Sequence, residues 1–180
     1  QRIVLFDSFL TIVDEEKPDA IVVAGDLYDR AVPPVEAVDL LDEMWKALVL
    51  ERNIPVLAIA GNHDSAERLQ YSSKLLTKVG LHIVGKVEPD TGPLEVGGVP
   101  FYLMPFLEPA RIRYAFHDDS IRTHHDALAA VVDAYGDIDK RAVAVGHSFV
   151  AGGLETDSER QLSVGTAGQV AKGLYAPFGY

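Results

Sequence analysis

An α/β fold, with a mostly parallel sheet and helices on its faces, is predicted by three features of this 180-residue sequence. Short β-branched apolar runs alternate with segments of helical periodicity through the first half of the chain. Three of those runs end alike, in a glycine followed by a side chain of metal-ligand type. Gly97-Gly98, set between two apolar stretches, marks a hairpin turn and adds an antiparallel component.

In chain order, Ile3, Phe6, Phe9, Leu10 and Val13 recur at helical spacing and predict an amphipathic helix over residues 2–16. No capping residue precedes it, so the chain is expected to open inside a helix. Residues 20–24 (Ala-Ile-Val-Val-Ala) predict a buried strand that ends at Gly25. Pro33 and Pro34 introduce a second helix, about 35–51, with Val35, Val38, Leu41, Trp45 and Leu48 on one stripe. The run 55–60 predicts the next buried strand. Ser65 is placed to cap a helix reaching about Val79, and a short strand follows at 81–84. A helix at about 120–135 and a strand at 142–145 complete the reading. No linker or internal repeat divides the chain, so residues 1–180 are read as one domain.

Composition narrows the function classes. With 48% hydrophobic residues the chain is globular, and no apolar run is long enough to span a membrane. It has no cysteine, which excludes disulfides and thiolate metal sites and suits a reducing cytoplasmic compartment. The formal net charge of -11 argues against loose, charge-driven binding of nucleic acid. An acidic protein can still act on phosphates when a metal ion supplies the positive charge.

The three alike endings carry the chemistry. Ala20–Ala24 runs into Gly25-Asp26, Val56–Ala60 into Gly61-Asn62-His63-Asp64, and Ala142–Val145 into Gly146-His147. Ligands of open α/β sheets bind beyond the carboxyl ends of the strands. If these strands are parallel neighbours, Asp26, Asn62 and His147 converge. A lone Gly-Asp or Gly-His is ordinarily a turn; three together favour a site. Carboxylate, amide oxygen and imidazole suit Mn²⁺, Fe²⁺ or Zn²⁺.

Gly25-Asp26-Leu27-Tyr28-Asp29-Arg30 and Gly61-Asn62-His63-Asp64, separated by a helix and a strand, resemble two signatures of the calcineurin-like metallophosphoesterases. Gly146-His147 is similar to a third. Three stretches resemble the bacterial SbcD-type nucleases of that family: Arg30-Ala31-Val32-Pro33-Pro34, Asn62-His63-Asp64-Ser65-Ala66-Glu67-Arg68, and Gly146 to Gly153 followed by Asp157-Ser158-Glu159-Arg160. The resemblance implies a layered domain of mixed sheets flanked by helices. It also implies a DNA nuclease acting on ends and hairpins, with two Mn²⁺ ions in the complete site and an SbcC-type ATPase as partner. The family's Asp-x-His and Gly-His-x-His motifs are not among these residues. The domain is therefore expected to be truncated at both ends, and to hold at most one ion, weakly, on its Asn62–His147 side.

By the same resemblance, Asp26 bridges the two metals, and Asn62 and His147 complete the shell of the second. His63 faces the phosphate as acid or charge stabiliser, and Asp29 orients His63. Arg30 contacts a phosphate oxygen or forms an ordinary surface salt bridge, and Asp64 braces its own turn. His124 and His125, being adjacent on a helix, point apart and are read as structural; His82 and His117 have no supporting pattern. The helices at 35–51 and 65–79 are expected to pair two copies into a homodimer. Two other readings stay open: a general phosphoesterase acting on small esters or nucleotides, and a non-catalytic scaffold.

Overall fold

The computed structural model describes residues 2–152 and 168–180, with side chains from Phe6 onward. The Asp157–Arg160 stretch lies outside the described residues. The described chain forms two three-stranded sheets packed face to face, with helices covering both outer faces. The strand pattern predicts a single mostly parallel sheet; the structure divides the strands between two.

The first sheet holds β1 (Ile21–Ala24), β2 (Val56–Ile59) and β3 (Leu81–Val84), all parallel in that order. The second holds β4 (Leu94–Val96), β5 (Val99–Met104) and β6 (Val143–Gly146). There β4 and β5 form the expected hairpin about Gly97 and Gly98, whose φ values of 58° and 74° are those a two-residue primed turn requires. β6 then joins β5 in parallel. A short pair, β7 (Phe149–Val150) with β8 (Gln169–Val170), follows.

Side-chain alternation explains the layering. Every residue of β2 is buried. Val56 and Ala58 point to one helical layer, while Leu57 and Ile59 meet Leu103 and Val145 of the other sheet. Tyr102 and Met104 of β5 point the opposite way, into the core under α6 (His124–Ala134). Leu57 and Ile59 are fully buried, and truncating either to alanine would cost about 2–5 kcal/mol.

The first sheet is covered by α1 (Arg2–Glu16) and by α2 (Val35–Trp45), which continues into a π-helical turn at Lys46–Leu50. In the predicted helix 35–51 only the last turns are buried, at Ala47, Leu48 and Val49; α2 itself buries none of its residues. The predicted helix 65–79 is broken into α3 (Ala66–Gln70), α4 (Ser73–Leu76) and a 3-10 turn at Thr77–Val79. Ser72 interrupts it with a left-handed φ of 61°, and Ser65 makes no side-chain cap bond. A helix absent from the sequence reading, α5 (Pro109–Phe116), starts with proline in its first turn and packs beside α6. No helix among the described residues is long and apolar enough to cross a membrane.

Candidate metal centre

The centre forms where the carboxyl ends of β1, β2 and β6 meet, so His147 reaches it from the facing sheet and not from a neighbouring strand. A main-chain bond joins the ends of the two sheets, Phe106 N–H donating to the Ala60 carbonyl at 2.8 Å, and His147 N–H extends the pairing of β6 with β5 by donating to the Met104 carbonyl at 3.3 Å. After β1 the chain turns through Gly25 (φ 97°) and Asp26 (φ 49°), both left-handed. Aspartate tolerates that region better than most residues. Two glycines are required by close approach: a Cβ on Gly25 would collide with the His147 imidazole, and one on Gly61 with the Asp26 carboxylate.

Hydrogen bonding sets the state of His147. Its Nδ1 lies 2.8 Å from the Ala24 carbonyl oxygen. A carbonyl oxygen only accepts, so Nδ1 carries the proton and Nε2 of the neutral ring presents a lone pair. That nitrogen lies 2.9 Å from Asn62 Oδ1 and 3.6 Å from Asp26 Oδ2. Three acceptor atoms thus converge without a donor among them. The Asn62 amide nitrogen is buried without a partner, and Oδ1 is the amide atom placed at this point. Acceptors crowded in this way repel unless a cation lies among them or the imidazole takes a second proton.

The three donors therefore fit a divalent transition-metal ion. Among the described residues no group of three or more His, Asp or Glu side chains gathers in one place. This centre reaches three donors only by counting the Asn62 amide oxygen. The arrangement has the chemistry of one metal position, with Asp26 as its one carboxylate.

Beside it, His63 N–H donates to Asp26 Oδ1 at 3.1 Å, which holds that carboxylate in place. The His63 ring is half-buried, with Nδ1 3.0 Å from the Asp29 carbonyl oxygen. The Asp29 carboxylate pairs with Arg30 at 3.1 Å, and the acceptor beside His63 Nδ1 is the Asp29 main chain. Arg30, read as a phosphate contact or a surface salt bridge, is paired with Asp29 at the surface.

Sequence reasoning undervalued Asp64. Its carboxylate accepts from Gly61 N–H at 2.8 Å, Tyr28 N–H at 2.9 Å and Leu27 N–H at 3.1 Å, so it binds a second loop as well as its own turn. It also missed Phe106, whose ring lies edge-on to His147 with centroids 6.4 Å apart. No residue pattern in the sequence marks that contact. The remaining histidines behave structurally. His124 donates from Nδ1 to the Leu107 carbonyl at 3.0 Å, and burial holds its pKa below the usual histidine value. His125 Nδ1 accepts from Ala171 N–H at 3.3 Å, and burial alone pushes His82 down. His117 adopts the left-handed conformation at the end of α5.

Asn62 also lines a cleft of about 740 Å³ that runs between β3 and α5, with Phe106, Val87 and Tyr114 on its walls. Glu67 spans it, paired with Arg111 at 2.6 Å and Lys86 at 3.3 Å.

Two comparisons bear on this geometry. The model of the family described as calcineurin-like phosphoesterase matches residues 4–150, which include all three donors. The SbcD component of the SbcCD nuclease of Staphylococcus saprophyticus subsp. saprophyticus is 39% identical over 177 residues, covering 97% of this chain and 47% of that protein. The chain thus spans about half the length of the curated relative it matches.

Proposed function

The chain belongs to the calcineurin-like phosphoesterases, and from that premise we propose that it is part of a metal-dependent DNA phosphodiesterase, the nuclease component of an SbcCD-type complex. In this reading Mn²⁺ is the metal, DNA ends and hairpins are the substrates, and an SbcC-type ATPase is the partner. The observation that carries the proposal is the convergence of Asp26 Oδ2, Asn62 Oδ1 and His147 Nε2 as three acceptors beside the His63 imidazole. The similarity to a protein named as part of an SbcCD nuclease supports the choice of substrate class.

A divalent cation bound by these donors supplies the positive charge that a phosphodiester and its attacking water need. The rest falls to the chain's own side chains. Asp26, held through Oδ1 by His63 N–H, keeps Oδ2 directed at the centre. Ala24 fixes the His147 tautomer so that Nε2 stays a donor to metal. The Asp29 carbonyl accepts from His63 Nδ1–H and so orients the ring; as the imidazolium, protonated on both nitrogens, it can give its Nε2 proton to the leaving oxygen or stabilise its charge. Substrate charge is not met by the overall surface, whose net charge is -11. Affinity is therefore proposed to depend on the metal and on the partner.

The proposal is tested by turnover of a DNA hairpin and of a nucleotide monoester, with Mn²⁺, by the full-length protein containing these residues. Cleavage of the hairpin with little turnover of the monoester is expected. Monoester hydrolysis without hairpin cleavage would move the assignment to a small-ester phosphatase.

A further inference from the structure

We propose that Asp64 is a positioning residue for the metal centre, one half of a reciprocal clasp between the loop that carries Asp26 and the loop that carries Asn62 and His63. The inference rests on the metal-centre reading above and deepens it. Its basis is a pair of carboxylates, each held by the main chain of the other's loop. Asp26, in the first loop, accepts from His63 N–H in the second at 3.1 Å. Asp64, in the second loop, accepts from Leu27 N–H at 3.1 Å and Tyr28 N–H at 2.9 Å in the first. Asp64 Oδ2 further accepts from Gly61 N–H at 2.8 Å, which closes the turn over Asn62.

The physical need for such a clasp is visible in the backbone. Neither loop is regular structure at this point, and Asp26 is held at φ 49°, a conformation that costs free energy for a residue with a side chain. β1 and β2 pair only as far as Ala24 and Ile59, so no ladder bond fixes the loops beyond them. Asp64 supplies what the sheet no longer does, through three charge-assisted bonds to main-chain donors. It does not point at the metal position. Three of the roughly four lone-pair sites of the Asp64 carboxylate are taken by main-chain N–H groups, and ligation falls to Asp26. When Asp26 is drawn toward a cation, the bonds to Asp64 still hold Leu27 and Tyr28 against Gly61, and the spacing of the donors persists.

Asparagine at position 64 keeps the shape, removes the charge, and replaces one acceptor oxygen by a donor that faces main-chain N–H. The test is Mn²⁺ affinity of wild-type protein and of Asp64→Asn, read by electron paramagnetic resonance of free and bound Mn²⁺, with thermal unfolding of the metal-free proteins alongside. Asp64→Asn is expected to weaken Mn²⁺ binding by about tenfold or more, the usual effect of removing a group that orients a metal ligand. Asp126→Asn, which breaks the capping box of α6 away from the centre, serves as the comparison. It is expected to lower thermal stability while leaving Mn²⁺ affinity unchanged. Equal Mn²⁺ affinity in wild type and Asp64→Asn would overturn the proposal. So would equal weakening in Asp64→Asn and Asp126→Asn, because the effect would then be general loss of stability. Absence of Mn²⁺ binding by the wild-type protein would instead refute the metal-centre reading itself.

Discussion

At the scale of single residues, His63 and Asp29 separate chemistry from support. His63 touches the centre only through its main chain, and its ring is free to face a substrate. His63→Ala in the full-length protein is therefore expected to abolish cleavage while DNA binding and Mn²⁺ binding persist; wild-type turnover at saturating Mn²⁺ would remove the imidazole from the mechanism. Asp29→Asn keeps the carbonyl that orients His63 and loses only the exposed pair with Arg30. Exposed pairs are worth about 0–1 kcal/mol, so that variant is expected to cut at close to the wild-type rate in the same assay. A loss as large as that of His63→Ala would mean that the carboxylate turns to the ring during catalysis. Asp26, Asn62 and His147 were legible in the sequence because glycine must precede a side chain that crosses a crowded strand end. The conformation of Asp29 was not, since a carboxylate three residues past a ligand can serve a ring through either its side chain or its main chain. Only the three-dimensional path of the loop decides between them.

At the scale of elements, two half-buried histidines give the fold a pH dependence. Burial disfavours the charged imidazole, so the folded-state pKa values of His82 and His124 lie below their ordinary value of 6.5. Below that value the unfolded chain binds more protons than the folded one. Their contribution is complete above about pH 6.5 and is lost as pH falls toward the depressed pKa values. Asp126 acts in a lower window. Main-chain N–H groups of Arg122 and Thr123 hold its pKa below 3.8, so its contribution is lost only as pH falls below that. Urea unfolding at pH 7.5 and 5.5 is expected to show lower stability at 5.5, and His124→Gln is expected to reduce the difference. An equal difference in the variant would show that His124 titrates alike in both states. The same elements mark the reach of local reading. Strands 20–24 and 55–60 were evident from β-branched runs, and the hairpin from Gly97-Gly98. The break at Ser72 was not, because it depends on distant partners: Gln70 Oε1 accepts from Gly85 and Lys86 N–H. Nor does any local pattern tell β6 to join β5 in the second sheet rather than β1 in the first.

At the scale of the whole molecule, the helical layer over the first sheet leaves apolar surface uncovered. Val35 is 70% exposed on α2, and Leu75 on α4 is 68% exposed, whereas Leu69 and Leu76 pack inward. Val32, Val38, Tyr71 and Val79 are exposed in the same two regions. An uncovered apolar surface of this kind favours association. The full-length protein is expected to sediment as a dimer at micromolar concentration, and Val35→Glu with Leu75→Glu is expected to make it a monomer. A wild-type monomer at that concentration would count against pairing through these helices.

The central claim is that Asp26, Asn62 and His147 form one metal position, and it is tested most directly by calorimetric titration of Mn²⁺ into this 180-residue chain. Three protein donors are fewer than the complete shell of a tight site. The titration is expected to show one weak site, weaker still at low pH as protons compete with the metal for its donors, and absent in His147→Ala. No binding at all, two tight sites, or binding that survives His147→Ala would contradict the account.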